Sequence, residues 1–320
     1  MARWLVLNTK FKVHLPLPEN VMTQTGASMS PTSNAPGATD EAAAPSLHVK
    51  PGSVASTRQN AILALIQEPE KPVLKTLSIL IPVYNEERYL AAVVKRVVEQ
   101  PLPGGLVREI IMVNDASKDK TWEIMQQIPG LFPEVSFKLM NKVKNEGKGA
   151  ALRDAWAMAT GDLLIVQDAD FEYDPADYPK LLQPILDGKA DAVFGSRFIG
   201  EPHRVMYFWH QMANNILTML SNMLTNLNLT DMEVCYKVFT REVYSQIKIR
   251  SPRFGVEPEL TAKVARMRIG AGPGGTGGKK VRVYETGVAY AGRTYEEGKK
   301  IGWKDAVSAI VQIIRFSFND

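Results

Sequence analysis

The stretch LLIVQDADFEYDP, residues 163–175, places a group of acids directly after an apolar run. The acids are Asp168, Asp170, Glu172 and Asp174. Carboxylates this close repel one another and resist desolvation unless a cation offsets their charge. Two interpretations are open at this point. The stretch is either a polar turn that uses Asp and Pro as turn formers, or a cation site at the end of a buried strand.

The composition is that of a globular protein with a substantial core. The chain has 320 residues, of which 45% are hydrophobic and 22% charged, and its formal net charge is +4. This charge tolerates anionic partners but lacks the density of a nucleic-acid binder, so no nucleic-acid partner is predicted. The one cysteine, Cys235, excludes an internal disulfide and a multi-cysteine metal site. It favours a reducing compartment.

The N-terminal part differs in composition from the rest of the chain. It contains TGASMSPTSNAPGATDEAAAP, which cannot bury enough surface to offset its ordering entropy. We predict a disordered extension over residues 1–70, leaving open a start codon inside it, and one folded domain over residues 71–320. Within that domain, a flexible glycine-rich loop is predicted at residues 269–280. No apolar run reaches the length of about 18 residues that a spanning helix needs, so no transmembrane helix is predicted.

Strand and helix patterns alternate from residue 77 onward. The strand candidates are LSILIPV, REIIMVND, VSFKLMN, DLLIVQD and ADAVFGSR, and segments such as ERYLAAVVKRVVEQ between them have helical spacing. The alternation predicts an α/β fold with parallel pairing through right-handed crossovers. Ligands of such sheets lie at the carboxyl ends of the strands, where this chain carries YNEE, NDAS, DAD and GSR. No GxGxxG or GxxxxGK[ST] motif follows the first strand, which argues against dinucleotide and P-loop sites.

These motifs resemble a known enzyme family. IPVYNEE, VNDASKDKT, NEGKGAALRDAWAMATGDLLIVQDAD and GSRF are similar to the motifs of inverting family 2 glycosyltransferases. The later GRTYEEGKKIGWKD resembles the branch that contains dolichyl-phosphate mannosyltransferase and bacterial polyprenyl-phosphate hexosyltransferases. The resemblance covers roughly residues 75–318. It implies a GT-A fold, a Rossmann-like, mostly parallel sheet flanked by helices with amphipathic helices at the C-terminus.

The resemblance also implies a divalent metal, Mg²⁺ or Mn²⁺, beside a nucleotide-sugar donor. Asp170 matches the metal ligand of the family motif, and Glu172 is a second candidate ligand. A hard cation with oxygen ligands offsets the charge of the donor diphosphate. Asp174, which precedes a proline, is expected to cap the next helix instead.

Further positions match residues that hold the nucleotide sugar in the family. They are Pro82, Tyr84, Glu86, Asp115, Asp168, Ala169 and Lys237. Asn114 and Ala116 depart from the usual DDGSxD pattern of the family, which leaves the base specificity open. The alternative interpretations are ordinary turn residues for NDAS, a surface cation for Lys237, and either a flexible turn or a mobile loop beside the nucleotide for NEGKGAALR.

The expected catalytic residues are Arg197, Asp231 and Arg293. Arg197 and Arg293 resemble arginines that reach phosphate oxygens, although either one could be a surface cation. Asp231 matches an aspartate of the polyprenyl-phosphate enzymes, where it would orient the acceptor or act as a base. The chain has no QxxRW motif, which marks many relatives that use hydroxyl acceptors. A phosphate monoester is already anionic near neutral pH and needs positioning more than a base.

Residues 205–230 contain no Asp, Glu, Lys or Arg and begin with a cluster of aromatic residues. They predict an amphipathic helix in a membrane interface, with a core helix or a homodimer face as alternatives. The terminal AVSAIVQIIRFSF predicts a second apolar helix. We therefore expect a cytoplasmic protein with peripheral contact to the inner face of the cell membrane, alone or with a separate integral membrane protein.

The leading functional hypothesis is transfer of a hexose from GDP-mannose or UDP-glucose to a dolichyl or undecaprenyl phosphate. An enzyme of the same fold acting on a soluble or polysaccharide hydroxyl is the first alternative. A non-catalytic sugar-nucleotide-binding partner of a membrane protein is the second.

Overall fold

The computed structural model describes residues 73–200, 204–270, 277–292 and 303–318. The predicted N-terminal extension, the centre of the glycine-rich loop and Arg293 lie outside the described residues.

The described residues form a central seven-stranded sheet and a small second sheet. The strands are β1 (Thr76–Val83), β2 (Val107–Asn114), β3 (Ser136–Asn141), β4 (Leu163–Val166), β5 (Ala192–Ser196), β6 (Lys237–Thr240), β7 (Arg268–Ile269), β8 (Lys279–Lys280) and β9 (Val283–Gly287). The order in the central sheet is β3-β2-β1-β4-β6-β5-β9. β7 and β8 pair antiparallel on the two sides of the glycine-rich loop.

Helices cover the sheet and supply the C-terminal part of the domain. They are α1 (Leu90–Glu99), α2 (Thr121–Leu131), α3 (Lys148–Met158), α4 (Tyr178–Leu186), α5 (Phe208–Thr225), α6 (Arg241–Tyr244), α7 (Val256–Arg266) and α8 (Trp303–Phe318). Single 3₁₀ turns occur at Pro103–Gly105 and Pro175–Asp177. As expected, Asp174 caps the second turn, its Oδ1 accepting the Ala176 N–H at 3.0 Å.

Apolar periodicity explains why the core forms where it does. The apolar side chains of α1 recur at helical spacing, and this face of the helix is buried against the sheet. β4 is buried at every position, as a strand covered by helices on both sides should be. The predicted mostly parallel α/β sheet is confirmed.

The position of β6 corrects one part of the predicted topology. The strand candidates of the alternating pattern do not include β6, which lies between β4 and β5 and runs antiparallel to both. β6 has only four residues and begins with a lysine, so no apolar run marks it in the sequence. Pairing with two distant strands decides its place.

A buried glutamate joins the starts of β1, β2 and β4. Glu109 accepts hydrogen bonds from Ser78 Oγ at 2.6 Å and from Thr160 Oγ1 at 2.7 Å, and it pairs with Lys138. Burial alone would raise the pKa of Glu109, but the hydrogen bonds from Lys138, Ser78 and Thr160 outweigh burial and lower it to about 2. This network lies at the amino ends of the strands. The nucleotide-sugar donor and the metal are expected at the opposite edge of the sheet.

Candidate active site

The loops after β1 and β2 are held together by short hydrogen bonds. The Asn85 N–H donates to Ser117 Oγ at 2.9 Å, and Asn85 Oδ1 accepts the Lys118 N–H at 2.8 Å. Asn85 and Ala116 have φ values of 53° and 55°. A glycine adopts such a backbone at lower cost, which gives a physical reason for the glycine of the family pattern at the position of Ala116.

The predicted nucleotide residues Pro82, Tyr84 and Glu86 follow one another at this edge of the sheet. Pro82 is the second-last residue of β1, Tyr84 is half-buried, and Glu86 is buried. The Glu86 N–H donates to Thr121 Oγ1 at 2.9 Å, which ties the loop to the start of α2. These three positions therefore line the loop next to Asp115.

Asp115 holds residues 145–149 (NEGKG), which lead into α3 and which we call the glycine-rich segment. Its carboxylate accepts the backbone N–H groups of Glu146 at 2.9 Å and Gly147 at 2.7 Å. Gly147 has a φ of 101°, and a Cβ at this position would lie 2.6 Å from the Pro252 carbonyl oxygen. The segment is therefore anchored on two sides in this structure, and both carboxylate oxygens of Asp115 are engaged by the backbone.

Lys148 connects the acidic motif to α7. Its Nζ lies 2.9 Å from Asp168 Oδ1 and 3.0 Å from Glu257 Oε1. Burial alone would lower the pKa of Lys148, but the neighbouring acids, chiefly Asp168, raise it well above the ordinary value. The ammonium is therefore charged and offsets the carboxylate of Asp168.

Asp170 and Glu172 lie together beyond the end of β4, whereas Ala169 between Asp168 and Asp170 is buried in the core. Asp170 Oδ1 accepts the Glu172 N–H at 3.0 Å, and Glu172 Oε2 accepts the Tyr290 hydroxyl at 3.1 Å. The guanidinium of Arg197 lies 5.2 Å from the centre of the Tyr290 ring. Tyr290 thus links the acidic motif to Arg197.

The donor set at this edge fits a hard divalent cation that is shared with a substrate. Asp170 and Glu172 offer carboxylate oxygens of the kind that Mg²⁺ and Mn²⁺ prefer. The part of the chain that the structure describes has no cluster of three or more His, Cys, Asp or Glu side chains able to hold a metal. A cation at this site would therefore need further ligands from a diphosphate and water.

Arg197 and Asp231 form a buried two-pronged ion pair. Arg197 Nε donates to Asp231 Oδ2 at 2.6 Å, and Nη2 donates to Oδ1 at 2.7 Å. Arg197 Nη2 also donates to Asn214 Oδ1 of α5 at 2.9 Å. Burial alone would raise the pKa of Asp231, but the charge and hydrogen bonds of Arg197 lower it. Such a carboxylate is a weak proton acceptor.

Lys237 lies deeper than a diphosphate contact would require. Its side chain is buried, and its ammonium donates to the backbone carbonyls of Met232, at 3.0 Å, and Val234. Burial lowers the pKa of Lys237, although neighbouring acids act against this. In this arrangement Lys237 holds the loop before β6 in place.

Several residues of the site were missed in the sequence. Lys148 stands where the sequence predicts a turn or loop followed by a helix, with no role assigned to the lysine itself, and no motif marks Glu233, Glu257 or Tyr290. The pairing of these side chains depends on contacts across the fold, for example Tyr290 with Glu172. A lysine directly after a glycine at the start of a helix was the one local signal available for Lys148.

α5 exposes apolar side chains on the face that points away from the ion pair. The exposed set is Tyr207, Phe208, Trp209, Met212, Ile216, Met219 and Met223, and α8 adds Ile310, Val311, Ile314 and Phe318. We call these residues the apolar face. The buried side of α5 includes the polar Asn214, Thr218 and Ser221. Leu217 on the same buried side packs with Ile313 of α8, so α5 has one core side and one exposed apolar side, and both alternatives stay open.

A cavity of about 350 Å³ opens beside Glu172 and Tyr290. Arg96 and Arg204 contribute cationic groups to its lining. The Arg204 N–H donates to the Tyr290 carbonyl at 2.8 Å, so this cavity adjoins the acidic motif.

Among the described residues, no helix combines the length and the apolar character that crossing a membrane requires.

The sequence profile described as glycosyl transferase family 2 matches residues 78–248, more than half of the chain. The chain belongs to glycosyltransferase family 2. This match extends from the third residue of β1 to beyond β6 and includes the acidic motif, and it confirms the predicted family and enzyme class. Arg293 lies beyond the matched residues and outside the described ones, so its catalytic role stays a prediction.

Two curated relatives are similar to parts of this chain. A dolichol-phosphate mannosyltransferase of Pyrococcus furiosus is 35% identical over 123 residues, which cover 38% of this chain and 33% of that protein. An undecaprenyl-phosphate 4-deoxy-4-formamido-L-arabinose transferase of Pectobacterium carotovorum is 26% identical, covering 61% of this chain and 58% of that protein. The family 2 chain thus spans less than two thirds of the length of either relative.

Solved structures share the fold. Glucosyl-3-phosphoglycerate synthase from Mycobacterium tuberculosis, in complex with Mn²⁺ and UDP-glucose, superposes with a TM-score of 0.55 at 17% identity over 84% of this chain and 83% of that chain. A Pyrobaculum calidifontis mannosyltransferase in complex with GDP-mannose and Mn²⁺ has a TM-score of 0.53 at 16% identity, over 83% and 72%. These similarities confirm the predicted GT-A fold.

Proposed function

We propose that this family 2 domain is a metal-dependent inverting glycosyltransferase that moves a hexose from GDP-mannose or UDP-glucose to a dolichyl or undecaprenyl phosphate. One observation carries the choice of a lipid acceptor. Asn214 lies on the buried side of α5 and accepts a hydrogen bond from Arg197, while the opposite side of the same helix carries the apolar face. A polyprenyl phosphate has a charged head and an apolar tail that match these two sides.

The donor would bind across the ends of β1, β2 and β4. Pro82, Tyr84, Glu86 and Asp115 line the loops expected to hold the base and ribose. Because both carboxylate oxygens of Asp115 accept backbone hydrogen bonds, we assign this residue the role of positioning the glycine-rich segment. Asp168 and Ala169 belong to the acidic motif on the diphosphate side.

Asp170 and Glu172 would hold Mg²⁺ or Mn²⁺. When bound, the cation supplies positive charge to the departing diphosphate. The Tyr290 hydroxyl keeps Glu172 oriented, and Lys148 offsets the charge of Asp168, so that the motif is organised before the substrates arrive.

The chemical step is a single displacement. An oxygen of the acceptor phosphate attacks the anomeric carbon on the face opposite the nucleotide. The new carbon–oxygen bond forms as the bond between the anomeric carbon and the diphosphate breaks. The electron pair of the broken bond leaves with the nucleoside diphosphate. No proton has to be removed, because a phosphate monoester is largely dianionic above a pH of about 6.

We assign Asp231 a positioning role instead of the base role considered from the sequence. Its carboxylate is fully buried and committed to Arg197, and a weakly basic carboxylate is a poor proton acceptor. Arg197 in turn lies over Tyr290, beside the acidic motif. The predicted contact of Lys237 with the diphosphate is replaced by a role in holding the loop before β6.

Peripheral membrane contact would use the apolar face. Trp209 and Met223, near the two ends of the α5 part of this face, are 75% and 73% exposed. Amphipathic helices of this type bind the boundary between head groups and acyl chains. A location on the inner face of the cell membrane, with or without an integral membrane partner, is part of the same proposal.

A hydroxyl acceptor is the second candidate, and one observation favours it. Glu233 is near Arg197 and Asp231, and burial followed by repulsion from Glu257 raises its pKa to about 8. A carboxylate with a raised pKa has the basicity that deprotonation of a sugar hydroxyl requires.

Radiolabelled GDP-mannose and UDP-glucose test the proposal when they are incubated with the full chain, polyprenyl phosphate in detergent, soluble glycans and Mg²⁺ or Mn²⁺. Label that enters the organic phase from one donor supports transfer to the lipid. Label recovered only in soluble glycans favours the hydroxyl acceptor. Donor binding in calorimetry without transfer to either acceptor would indicate the non-catalytic alternative.

A further inference from the structure

Glu233 lies in the loop that connects Asp231 to β6, close to charged groups of both ion pairs of the site. Its Oε1 is buried and has no hydrogen-bond partner among the described residues. The charged groups that face it are Arg197 at the end of β5, Asp231 in the same loop, Lys237 of β6 and Glu257 of α7.

The cations near this carboxyl group are already engaged. Arg197 binds both oxygens of Asp231, and the ammonium of Lys237 donates to backbone carbonyls. Glu257 shares Lys148 with the acidic motif, and its own Oε2 is also buried without a hydrogen-bond partner in the described part of the chain. The cluster contains the carboxyl groups of Asp168, Asp231, Glu233 and Glu257 and the cations of Lys148, Arg197 and Lys237. If every acid were ionised, one negative charge would therefore lack compensation.

We propose that Glu233 is protonated at neutral pH and donates a hydrogen bond from its carboxyl group to a phosphate oxygen of the acceptor. This proposal rests on the proposed function, since it requires a phosphate acceptor. A neutral acid removes the excess negative charge from the cluster and provides a donor to the incoming anion. An ionised Glu233 would instead repel a phosphate dianion.

The raised pKa of Glu233 supports this geometry. Burial is its largest cause and the charge of Glu257 the second, while Lys237 and Arg197 act in the opposite direction. The proton stays on Glu233 throughout the transfer, so it plays no part in the electron balance of the displacement. The site therefore selects an acceptor that brings its own negative oxygen.

The experiment measures kcat and the KM for polyprenyl phosphate against pH at saturating donor. For the wild type we expect the acceptor KM to rise above a pH of about 8, as Glu233 loses its proton. Glu233→Ala should raise the KM at neutral pH by about tenfold, the loss of one hydrogen bond to a charged group. Glu233→Gln keeps an N–H donor and has no proton to lose, so its KM should rise less than that of the alanine variant and stay flat with pH.

A second variant shifts the titration without touching Glu233. Glu257→Gln removes the repulsion that raises the pKa of Glu233, so the rise in acceptor KM should begin at a lower pH. Glu123→Gln, an exposed acid on α2, is the matched control and should reproduce the wild-type profile. Calorimetric donor binding shows that each variant is folded.

Two results would overturn the inference while leaving the proposed function intact. One is a loss of kcat in Glu233→Gln as large as in Glu233→Ala, which would make Glu233 a base. The other is a rise in KM with pH that persists in Glu233→Gln. If the wild type forms no lipid-linked product, both the proposed function and the inference are wrong.

Discussion

Arg197 donates two parallel hydrogen bonds to Asp231, 2.6 Å from Nε to Oδ2 and 2.7 Å from Nη2 to Oδ1. The side chain of Asp231 is fully buried. The loop before β6 is thereby fastened to the end of β5, and Asn214 extends the contact to α5. The ion pair thus stabilises the packing of these elements and also lies at the candidate active site.

Breaking this pair should cost stability and activity together. Asp231→Asn leaves the buried Arg197 without its counter-charge, so the free energy of unfolding should fall by about 3 kcal/mol. Arg197→Lys keeps the charge but loses the fork, and its loss should be smaller. Urea denaturation and lipid-linked product formation measure the two effects. An Asp231→Asn variant with wild-type stability but no turnover would restore the base role of Asp231.

Removing the candidate metal ligand should nearly abolish transfer. Asp170→Ala leaves the departing diphosphate without charge compensation, and we expect a loss of at least about a hundredfold in kcat. EDTA should have the same effect on the wild type, and Mg²⁺ or Mn²⁺ should reverse it. Asp174→Ala is the matched control, because Asp174 caps a 3₁₀ turn and should lose about 1 kcal/mol of stability with little change in rate. Full activity in EDTA contradicts the metal role.

The apolar face should control binding to lipid and leave donor binding unchanged. Replacing Trp209 and Met223 by Gln removes two exposed apolar side chains, and each should weaken binding to vesicles by about tenfold. Vesicle co-sedimentation measures this effect, and calorimetry measures donor binding. Asn215→Gln, an exposed polar change on the same helix, is the control. A variant that binds vesicles normally but changes from dimer to monomer would show that the face joins two copies.

Glu109 should make the fold sensitive to acid. Its folded pKa of about 2 lies below the ordinary value of 4.5, so its stabilisation is complete above pH 4.5 and disappears as the pH falls toward 2. The contribution at neutral pH is on the order of 2 to 3 kcal/mol. Glu109→Gln should lose that amount at pH 7 and show a flatter decline in stability below pH 4.5 in urea denaturation. Equal acid sensitivity in both proteins would contradict this account.

The close contact between the first turn of α3 and the backbone at Ser251 should not tolerate a methyl group at Gly149. A Cβ at Gly149 would lie 2.2 Å from the Ser251 carbonyl oxygen, so Gly149→Ala must displace backbone. We expect a loss of about 1 to 3 kcal/mol in unfolding free energy and weaker donor binding, because Lys148 moves away from Asp168. Gly130→Ala in α2, where nothing lies within 4 Å, is the control and should be neutral or slightly stabilising. An equally stable Gly149→Ala variant would contradict this packing.

The part of the site that could be predicted follows local patterns. The acids after β4, including Asp168 and Asp170, and the arginine after β5 stand directly behind apolar runs. In a parallel sheet such positions meet at one edge. The charge state of Asp231 and the burial of Lys237 could not be predicted in this way, because they depend on partners on other elements.

The sequence by itself determined the family, the α/β alternation, the acidic motif and the amphipathic character of α5, because each depends on residues that are neighbours along the chain. Only the tertiary structure decided the antiparallel insertion of β6, the burial of Lys237 and the isolation of Glu233 among engaged ion pairs. A side chain's hydrogen bonds and charge depend on the groups that packing brings to it. Glu172 and Tyr290, for example, are 118 residues apart in the chain and share a hydrogen bond at the site.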